Sequence, residues 1–422
     1  MTELDQRIKT KKETTARRAE MSIRCFELKL QYNKLSTNQK EKLNLFFKQA
    51  KYLANDIISS EDIFGYDYKT KSVNVKWFKD KVEFNENRDI ILPSQMKQDI
   101  KTKLITDIVN LSKAKSKGMT VGKLKFRKEV KCIGLKQYGT TWKFGDKNRF
   151  YIAGIGWVRV SGKEQITPTI SEFGCAKLIR KPTGYVVQVT GFYSKEPQKK
   201  VVIEPKDIVG IDFGIKDHIT LTTGEKHNFK FDDSKVIREQ KKLSKEKKGS
   251  NNRFKQILKV RKQHQKLTNK KDDTSNKFVS QLKNQYKLIF IQDENLKGWH
   301  SGLFGKQVQH SILGRIKSKL LKLNTTGVVD RFQPTTKLCP NCGALNKLQL
   351  NDRIYVCKCG FIEDRDTKSA RTTAVIGLMN YVHTERMDFK PAEILTTELT
   401  DKYQLLFGKF KLESMKQDAP TL

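Results

Sequence analysis

Four cysteines fall in one short stretch of this chain, as Cys339-Pro340-Asn341-Cys342 and Cys357-Lys358-Cys359, and a glycine, Gly343 or Gly360, follows each pair at once. Short turns tipped by glycine let backbone amides point at thiolates, and four soft sulfurs suit tetrahedral Zn²⁺ held at about 2.3 Å. The spacing predicts a ribbon-type zinc site. Its role is structural, because four thiolates leave no open position for water. The second pair, ending at Cys359, is C-x-C rather than C-x-x-C, which tightens its turn and leaves one ligand open to weakening. The chain has seven cysteines, and an odd number argues against a secreted disulfide framework. Cys25, Cys132 and Cys175 sit among alternating apolar residues and are expected to be small buried thiols.

Three carboxylates stand out by context. Asp212 lies inside the apolar run IVGIDFGI, where an ionised side chain is costly to bury without a cation or partner. Glu294 closes a second apolar run, LIFIQDEN, beside Asp293, and Asp366 stands in EDRDTKSA at the start of an expected helix. Taken singly, each has a plain reading: a turn for Asp212, a loop cap for Glu294, a helix cap for Asp366. Brought together by a sheet they would repel one another. Divalent metal is the usual resolution, since Mg²⁺ prefers carboxylate oxygens and water, and two such ions flank the scissile phosphate in phosphoryl transfer.

The elements that must position these residues follow from periodicity. Residues 1–20 carry charge with almost no apolar period and read as a basic flexible arm. Residues 22–31 alternate as a strand, the segment after Ser36-Thr37 has helical spacing, and residues 94–116 look helical after Pro93. From about Gly122 to Tyr193 short strands follow one another, so 21–205 reads as a β-barrel with a helical insertion over about 36–118. A strand-turn-strand begins at Ile208, and two lysine-dense helices are expected over 234–286, broken near Gly249-Ser250-Asn251-Asn252. The strand KLIFIQDEN, the helix VQHSILGRIKSKLLKL and the strand TGVVDRF then alternate as in an α/β sheet. The first part of this second domain spans 206–334, the ribbon 335–362, the last part 363–385, and 386–422 has no assigned role.

Lys plus Arg number 84 against 46 Asp plus Glu, a formal net charge of +38. A chain this basic repels itself unless a polyanion neutralises it, and phosphate backbones gain affinity by releasing counterions at each docked Lys or Arg. Nucleic acid is the first partner to expect. Anionic membrane is the rival polyanion, but no run of 18 or more apolar residues occurs and the first residues lack an apolar signal core, so a soluble intracellular protein with no membrane partner is expected.

The glycine-flanked G-I-D-F-G, the distant Glu closing an apolar strand and the D-R-D after a four-cysteine ribbon resemble the split RuvC nuclease domain of TnpB, the RNA-guided nuclease of insertion-sequence transposons, and of its relatives the miniature type V CRISPR effectors. LPSQ at 92–95, GKLKFRKE at 122–129, QDENLKGW at 292–299, VQHSILGRIK and PTTKLCPNCG at 334–343 are similar to TnpB sequence too, so the resemblance covers about residues 21 to 380. It implies an α+β multidomain protein: a wedge β-barrel with a helical recognition insertion, then an RNase H-like (RuvC) α/β domain carrying an inserted zinc ribbon that binds target nucleic acid. It makes Asp212, Glu294 and Asp366 the catalytic acids and the Mg²⁺ ligands of a two-metal site, with Asp364 a bystander.

The implied activity is Mg²⁺-dependent hydrolysis of DNA in one RuvC site, directed by a transposon-encoded guide RNA to a double-stranded target beside an adjacent motif, in the cytoplasm of a bacterial or archaeal cell and associated with the nucleoid. Basic helices would hold an A-form heteroduplex by its backbone while base pairing supplies specificity. The family follows its third acid with x-N-A-A or x-H-A-A, whereas this chain has Thr367-Lys368-Ser369-Ala370. Lys368 either weakens metal binding by repulsion or contacts phosphate, and the sequence leaves both open. A CRISPR effector and a nuclease-dead RNA-guided repressor are the alternative functions; retention of all three acids argues against the second. A strand-joining transposase is a further class, for which no residue pattern speaks. The guide, the adjacent motif and the oligomeric state are not encoded in any pattern recognised in the chain.

Overall fold

The computed structural model describes residues 3–79, 82–166, 169–194, 203–349 and 351–383. The chain divides into two compact units, residues 1–196 and 197–422. In the first, helix α1 (Glu3–Ala19) precedes strand β1 (Met21–Leu30). Helix α2 (Thr37–Ser59), an antiparallel hairpin of β2 (Ser72–Lys79) and β3 (Val82–Asp89), and helix α3 (Ser94–Ser116) come next. Strands β4 (Cys132–Leu135), β5 (Trp142–Phe144), β6 (Arg149–Ile152), β7 (Gly156–Ser161), β8 (Glu172–Lys181) and β9 (Gly184–Ser194) complete it. Strand pairing gives one seven-stranded sheet, β4-β8-β9-β1-β7-β6-β5, antiparallel throughout.

Helix α2 starts where its sequence provides a reciprocal cap: Ser36 Oγ accepts from Gln39 N, and Gln39 Oε1 accepts from Ser36 N. Its buried stripe of Leu43, Phe46, Phe47, Ala50, Leu53 and Ala54 packs with Met96, Ile100 and Leu104 of α3 into the core of the sheet, where Trp142 stacks on Phe150 at 5.4 Å.

Three expectations differ here. Residues 3–19 are helix where an irregular arm is expected: Glu, Lys, Arg, Gln and Ala are strong helix formers, and Arg17 and Arg18 both pair with Glu172 of β8. The expected all-helical insertion contains the β2–β3 hairpin, where Val73 and Val75 alternate with polar residues over too short a run to outweigh the flanking helices in the sequence pattern. Cys25 and Cys175 are exposed and Cys132 is half-buried, because strand alternation turns the first two to the outer face, Cys175 beside Lys177 and opposite Gly174 and Ala176.

The second unit is a layered α/β structure. Its five-stranded sheet has the order β12-β11-β10-β13-β14, built from β10 (Ile208–Phe213), β11 (Ile219–Leu221), β12 (Lys226–His227), β13 (Leu288–Gln292) and β14 (Thr326–Val329). Strands β10, β13 and β14 run parallel, and β11 returns antiparallel on β10. Helices α4 (Ser234–Lys245) and α5 (Asn251–Gln285) lie between β12 and β13, as the lysine-dense pattern predicts, and Ser250 caps α5 through Arg253 N. Three helices follow β13: α6 (Leu296–Ser301), α7 (Gly305–His310) and α8 (Leu313–Leu320). The single helix expected over α7 and α8 is broken because the Ser311 hydroxyl bonds Val308 O on one side and Leu313 N on the other.

Beyond β14 a hairpin of β15 (Ile354–Val356) and β16 (Ile362–Asp364) leads into helix α9 (Arg365–His383). All five side chains of β13 are buried. One sheet face, with Ile208 and Phe290, meets Ala374, Val375 and Leu378 of α9; the other, with Val209, Ile211 and Ile289, meets Phe278 and Leu282 of α5 and Ile316 and Leu320 of α8. The segment 386–422 lies outside the described residues.

Candidate active site and metal centre

Asp212 sits next to the end of β10, opposite Thr220 of β11. Alternation puts Ile208, Gly210 and Asp212 on the face that α9 covers. Gly210 sets how close that helix comes: a Cβ there would stand 2.0 Å from Ala370 O and 2.8 Å from Ala374 N. Only a residue without a side chain lets the start of α9 lie against the strand two residues before the acid. The result is direct contact between the elements' polar groups, with Ser369 Oγ donating to Asp212 Oδ1 at 3.0 Å.

Asp366 occupies the first turn of α9. Asp364, its neighbour in the D-R-D run, has a different job: its Oδ1 accepts from Asp366 N at 3.1 Å and Thr367 N at 3.0 Å, a helix cap, while Lys226 donates to its Oδ2 at 3.0 Å. Burial pushes the Asp364 carboxyl up, but the Thr367 amide and the Lys226 ammonium outweigh it and hold the group below its ordinary range.

Glu294 follows the buried end of β13. Its neighbour Asp293 is neutralised by Lys317, at 2.7 Å, and by Arg331, and these two hydrogen bonds hold its carboxyl low. The Glu294 side chain has no such cation partner among the described residues, and burial pushes its carboxyl up, against the pull of Lys317. Asp212 is pushed up to about 7, first by burial, then by the charge of Asp366, with a smaller push from Glu294; the Ser369 hydroxyl opposes this. Asp366 in α9 and Glu294 beyond the end of β13 therefore add to the cost of ionising Asp212, and a cation beside it would relieve that cost.

Burial removes one of the two roles open to Lys368 in the sequence, the contact with phosphate, while its charge still reaches Asp212. It is 0% exposed, its Nζ donates to the carbonyls of Thr335 at 2.9 Å and Thr336 at 2.5 Å, and it lies 4.1 Å over the ring of Tyr355. A buried ammonium cannot reach a phosphate backbone. Burial pushes it down to about 7. Gln292, also buried, donates to Asp330 O at 3.2 Å and Gln333 O at 2.8 Å and accepts from Thr335 Oγ1 at 2.8 Å. Sequence reasoning passed over Gln292, Thr335 and Ser369; the only available signal was the departure of Lys368-Ser369 from the family pattern.

The four cysteines converge. Cys339 Sγ is 3.7 Å from Cys359 Sγ, Cys342 Sγ is 3.6 Å from Cys357 Sγ, and all four sulfurs lie within 4.8 Å of one another. Tetrahedral Zn²⁺ with bonds of about 2.3 Å needs sulfurs about 3.8 Å apart, so the set fits the ion. Gly343 and Gly360 take positive φ, 74° and 86°, to close the two turns. Cys359 is held low chiefly by the Phe361 amide, then by Asn341, so the shortened C-x-C pair keeps its sulfur in the set. Among the described residues these cysteines form such a cluster and the three carboxylates do not gather as tightly.

The fold and site define a mixed α/β unit with an acidic sheet end and a four-cysteine cluster compatible with structural zinc. Two family models match this unit: OrfB_IS605, described as "Probable transposase", over residues 192–300, which hold Asp212 and Glu294, and the Cas12f1-like TNB domain over residues 312–373, which hold the cysteines and Asp366. A protein of Streptomyces pristinaespiralis named "Putative RNA-guided DNA endonuclease" is 33% identical over 181 residues, which is 40% of this chain and 45% of that protein. Two solved structures align at 14% identity: a Cas12f1-sgRNA-target DNA complex, with 66% of this chain, 70% of that one and a TM-score of 0.39, and a CRISPR-Cas12f ternary complex, with 71%, 72% and 0.26. By the two family models and the Streptomyces relative, the chain resembles TnpB and the miniature type V effectors. It spans less than half the length of the curated relative it matches. Among the described residues no helix is long and apolar enough to cross a membrane.

Proposed function

We propose that this protein is an RNA-guided DNA endonuclease of the TnpB type, acting in bacterial or archaeal cells, with Asp212, Glu294 and Asp366 as its catalytic acids in a RuvC-type site. The observation that carries the reading is the meeting of Asp212, next to the end of β10, with the first turn of α9, close enough that the charge of Asp366 raises the Asp212 carboxyl. Hard carboxylate oxygens around a buried Asp212 that two other acids make costlier to ionise suit Mg²⁺, and the two family matches divide the three acids and the ribbon between them. Bound Mg²⁺ supplies a metal-activated water and charge stabilisation at the scissile phosphate. The protein's part is to hold three acids at one sheet end, to keep Asp293 neutralised by Lys317 and Arg331, and to bury Lys368 away from substrate. In this reading the first unit is the wedge with its recognition insertion, holding a transposon-encoded guide RNA and the motif beside the target. Exposed Lys255, Lys259, Lys262, Lys266 and Lys270 of α5 face the nucleic-acid backbone, and the ribbon binds one structural Zn²⁺.

The test is cleavage of a plasmid library carrying a guide-matched target beside a randomised motif, with Mg²⁺ and with EDTA. Protein purified with its own RNA is expected to cut in Mg²⁺, and Asp212→Ala, Glu294→Ala and Asp366→Ala each to abolish cutting while RNA and target binding stay within about twofold. Absence of cutting by the parent protein on every motif would favour the nuclease-dead binder.

A further inference from the structure

The two residues that depart from the family pattern after Asp366 are both buried: Lys368 is 0% exposed and Ser369 2%. Their hydrogen bonds run in opposite directions from one turn of α9. Lys368 reaches the backbone just before the first cysteine pair, through the carbonyls of Thr335 and Thr336, and lies over Tyr355, whose own hydroxyl donates to Lys337 O at 3.2 Å inside the ribbon. Ser369 reaches Asp212 at 3.0 Å and touches Thr335 Oγ1 at 3.4 Å.

The supply of protons decides which way the Ser369 hydroxyl points. The side-chain amide nitrogen of Gln292 faces the carbonyls of Asp330, Arg331 and Gln333, so its oxygen is turned to Thr335, which donates its one hydroxyl proton there. Ser369 also has one proton, and a carboxylate at 3.0 Å is a stronger acceptor than a hydroxyl at 3.4 Å. That proton goes to Asp212. Gln292, the last residue of β13, stands two residues before Glu294, and Thr335 bonds it on one side while lying 3.4 Å from Ser369 Oγ on the other.

From this geometry we infer that Ser369 is a positioning residue that fixes the Asp212 carboxylate for its metal, and that Lys368, the residue before it, ties the same turn of α9 to the backbone carbonyls of Thr335 and Thr336 at the stem of the cysteine ribbon. The inference rests on the reading of Asp212 as a metal ligand. Hydrogen bonds to a ligand carboxylate orient it, and losing one typically weakens metal binding by about 10–100-fold. An alanine at 369, the residue the family carries, would leave Asp212 Oδ1 without this donor; in this chain the orientation is supplied by the serine.

The full-length protein, with zinc in place and no nucleic acid added, is titrated with Mn²⁺ and the free ion read by electron paramagnetic resonance. Ser369→Ala should weaken Mn²⁺ binding about tenfold while zinc content and melting temperature stay at parent values, since alanine is smaller and a better helix former. In cleavage assays the same variant should need about tenfold more Mg²⁺ for half-maximal rate. Asp212→Asn is the control for the underlying reading and should lose the Mn²⁺ site. If Asp212→Asn loses it and Ser369→Ala binds as the parent does, the positioning role is overturned and the functional reading stands. If Asp212→Asn binds Mn²⁺ unchanged, both are overturned. Lys368→Met keeps the buried stem and drops the bonds to Thr335 and Thr336; it should weaken Mn²⁺ binding in the same direction, and tighter binding, as expected from removing a charge that reaches Asp212, or loss of zinc alone, would remove Lys368 from the supporting role.

Discussion

The cysteine ribbon and the acidic sheet end occupy one structural unit but are assembled by opposite routes. The ribbon draws all its sulfurs from residues 339–359, two turns and a short hairpin, and its Sγ–Sγ separations of 3.6 and 3.7 Å match those a tetrahedral ion needs. The acids come from residues 212, 294 and 366, and the segments that carry them approach only because β10 and β13 pair in parallel and α9 packs on the face where Gly210 admits it. A local site is specified by spacing and a dispersed one by packing. The first should therefore fail through its own ligands, and the second also through residues that never touch substrate.

The largest effect that would break this contrast is at the acids. Asp212→Ala, Glu294→Ala and Asp366→Ala are each expected to lower cleavage by at least about a thousandfold with target affinity retained, because affinity is spread over many docked phosphates and chemistry over three groups. An acid variant that still cuts would remove that residue from the site. Next comes the ribbon: Cys339→Ser should release zinc, measured as metal per chain, and lower the melting temperature, since structural zinc contributes folding free energy directly. Folded, active protein purified without zinc would overturn the ribbon's structural role.

Replacing Lys255, Lys259, Lys262 and Lys266 with Gln probes the charged face of α5. Every phosphate that these lysines no longer neutralise should flatten the slope of log affinity against log salt by about 0.9 for duplex DNA, and an unchanged slope would make this an ordinary solvated helix face. Asp364→Ala sharpens the comparison within the D-R-D run: losing a cap costs about 1 kcal/mol, so stability should drop modestly while most cleavage activity remains. The smallest effect is expected at the first unit's Glu172, whose carboxyl is held low by Arg18 and then Arg17. Its folded pKa lies below the unfolded value, so the ion pairs stabilise above that unfolded value and the contribution fades as pH falls through the folded one. Glu172→Gln should lower stability by no more than about 1 kcal/mol at pH 7, with the difference closing in acid. A difference that grew in acid would mean the pair is not what anchors α1.

Much of this was legible in the chain. Alternating and helical periods placed β1, α2, α3, β10, β13 and the α4–α5 break, because burial of one face imposes a period on any sequence that folds. The cysteine cluster was legible for the same local reason, its spacing being its geometry. The α7–α8 break and the β2–β3 hairpin were not, since a serine bonding two flanking helices and a hairpin rich in polar residues leave weak periodic signals. Outward-facing Cys25 and Cys175 show the limit of alternation, which fixes that two faces exist but not which one is covered.

By itself, then, the sequence determined a polyanion-seeking charge, a four-thiolate ribbon and three acids each anchored to a recognisable element. Only the tertiary structure decided which bonds Asp364 makes, as a cap on α9, that Asp293 is neutralised while Glu294 is not, and that Lys368 is buried under Tyr355 instead of facing phosphate. The reason is physical: a residue's type fixes what bonds it can make, but which partner it meets depends on segments far apart in sequence, and a glycine two positions before Asp212 sets how closely two of those segments approach.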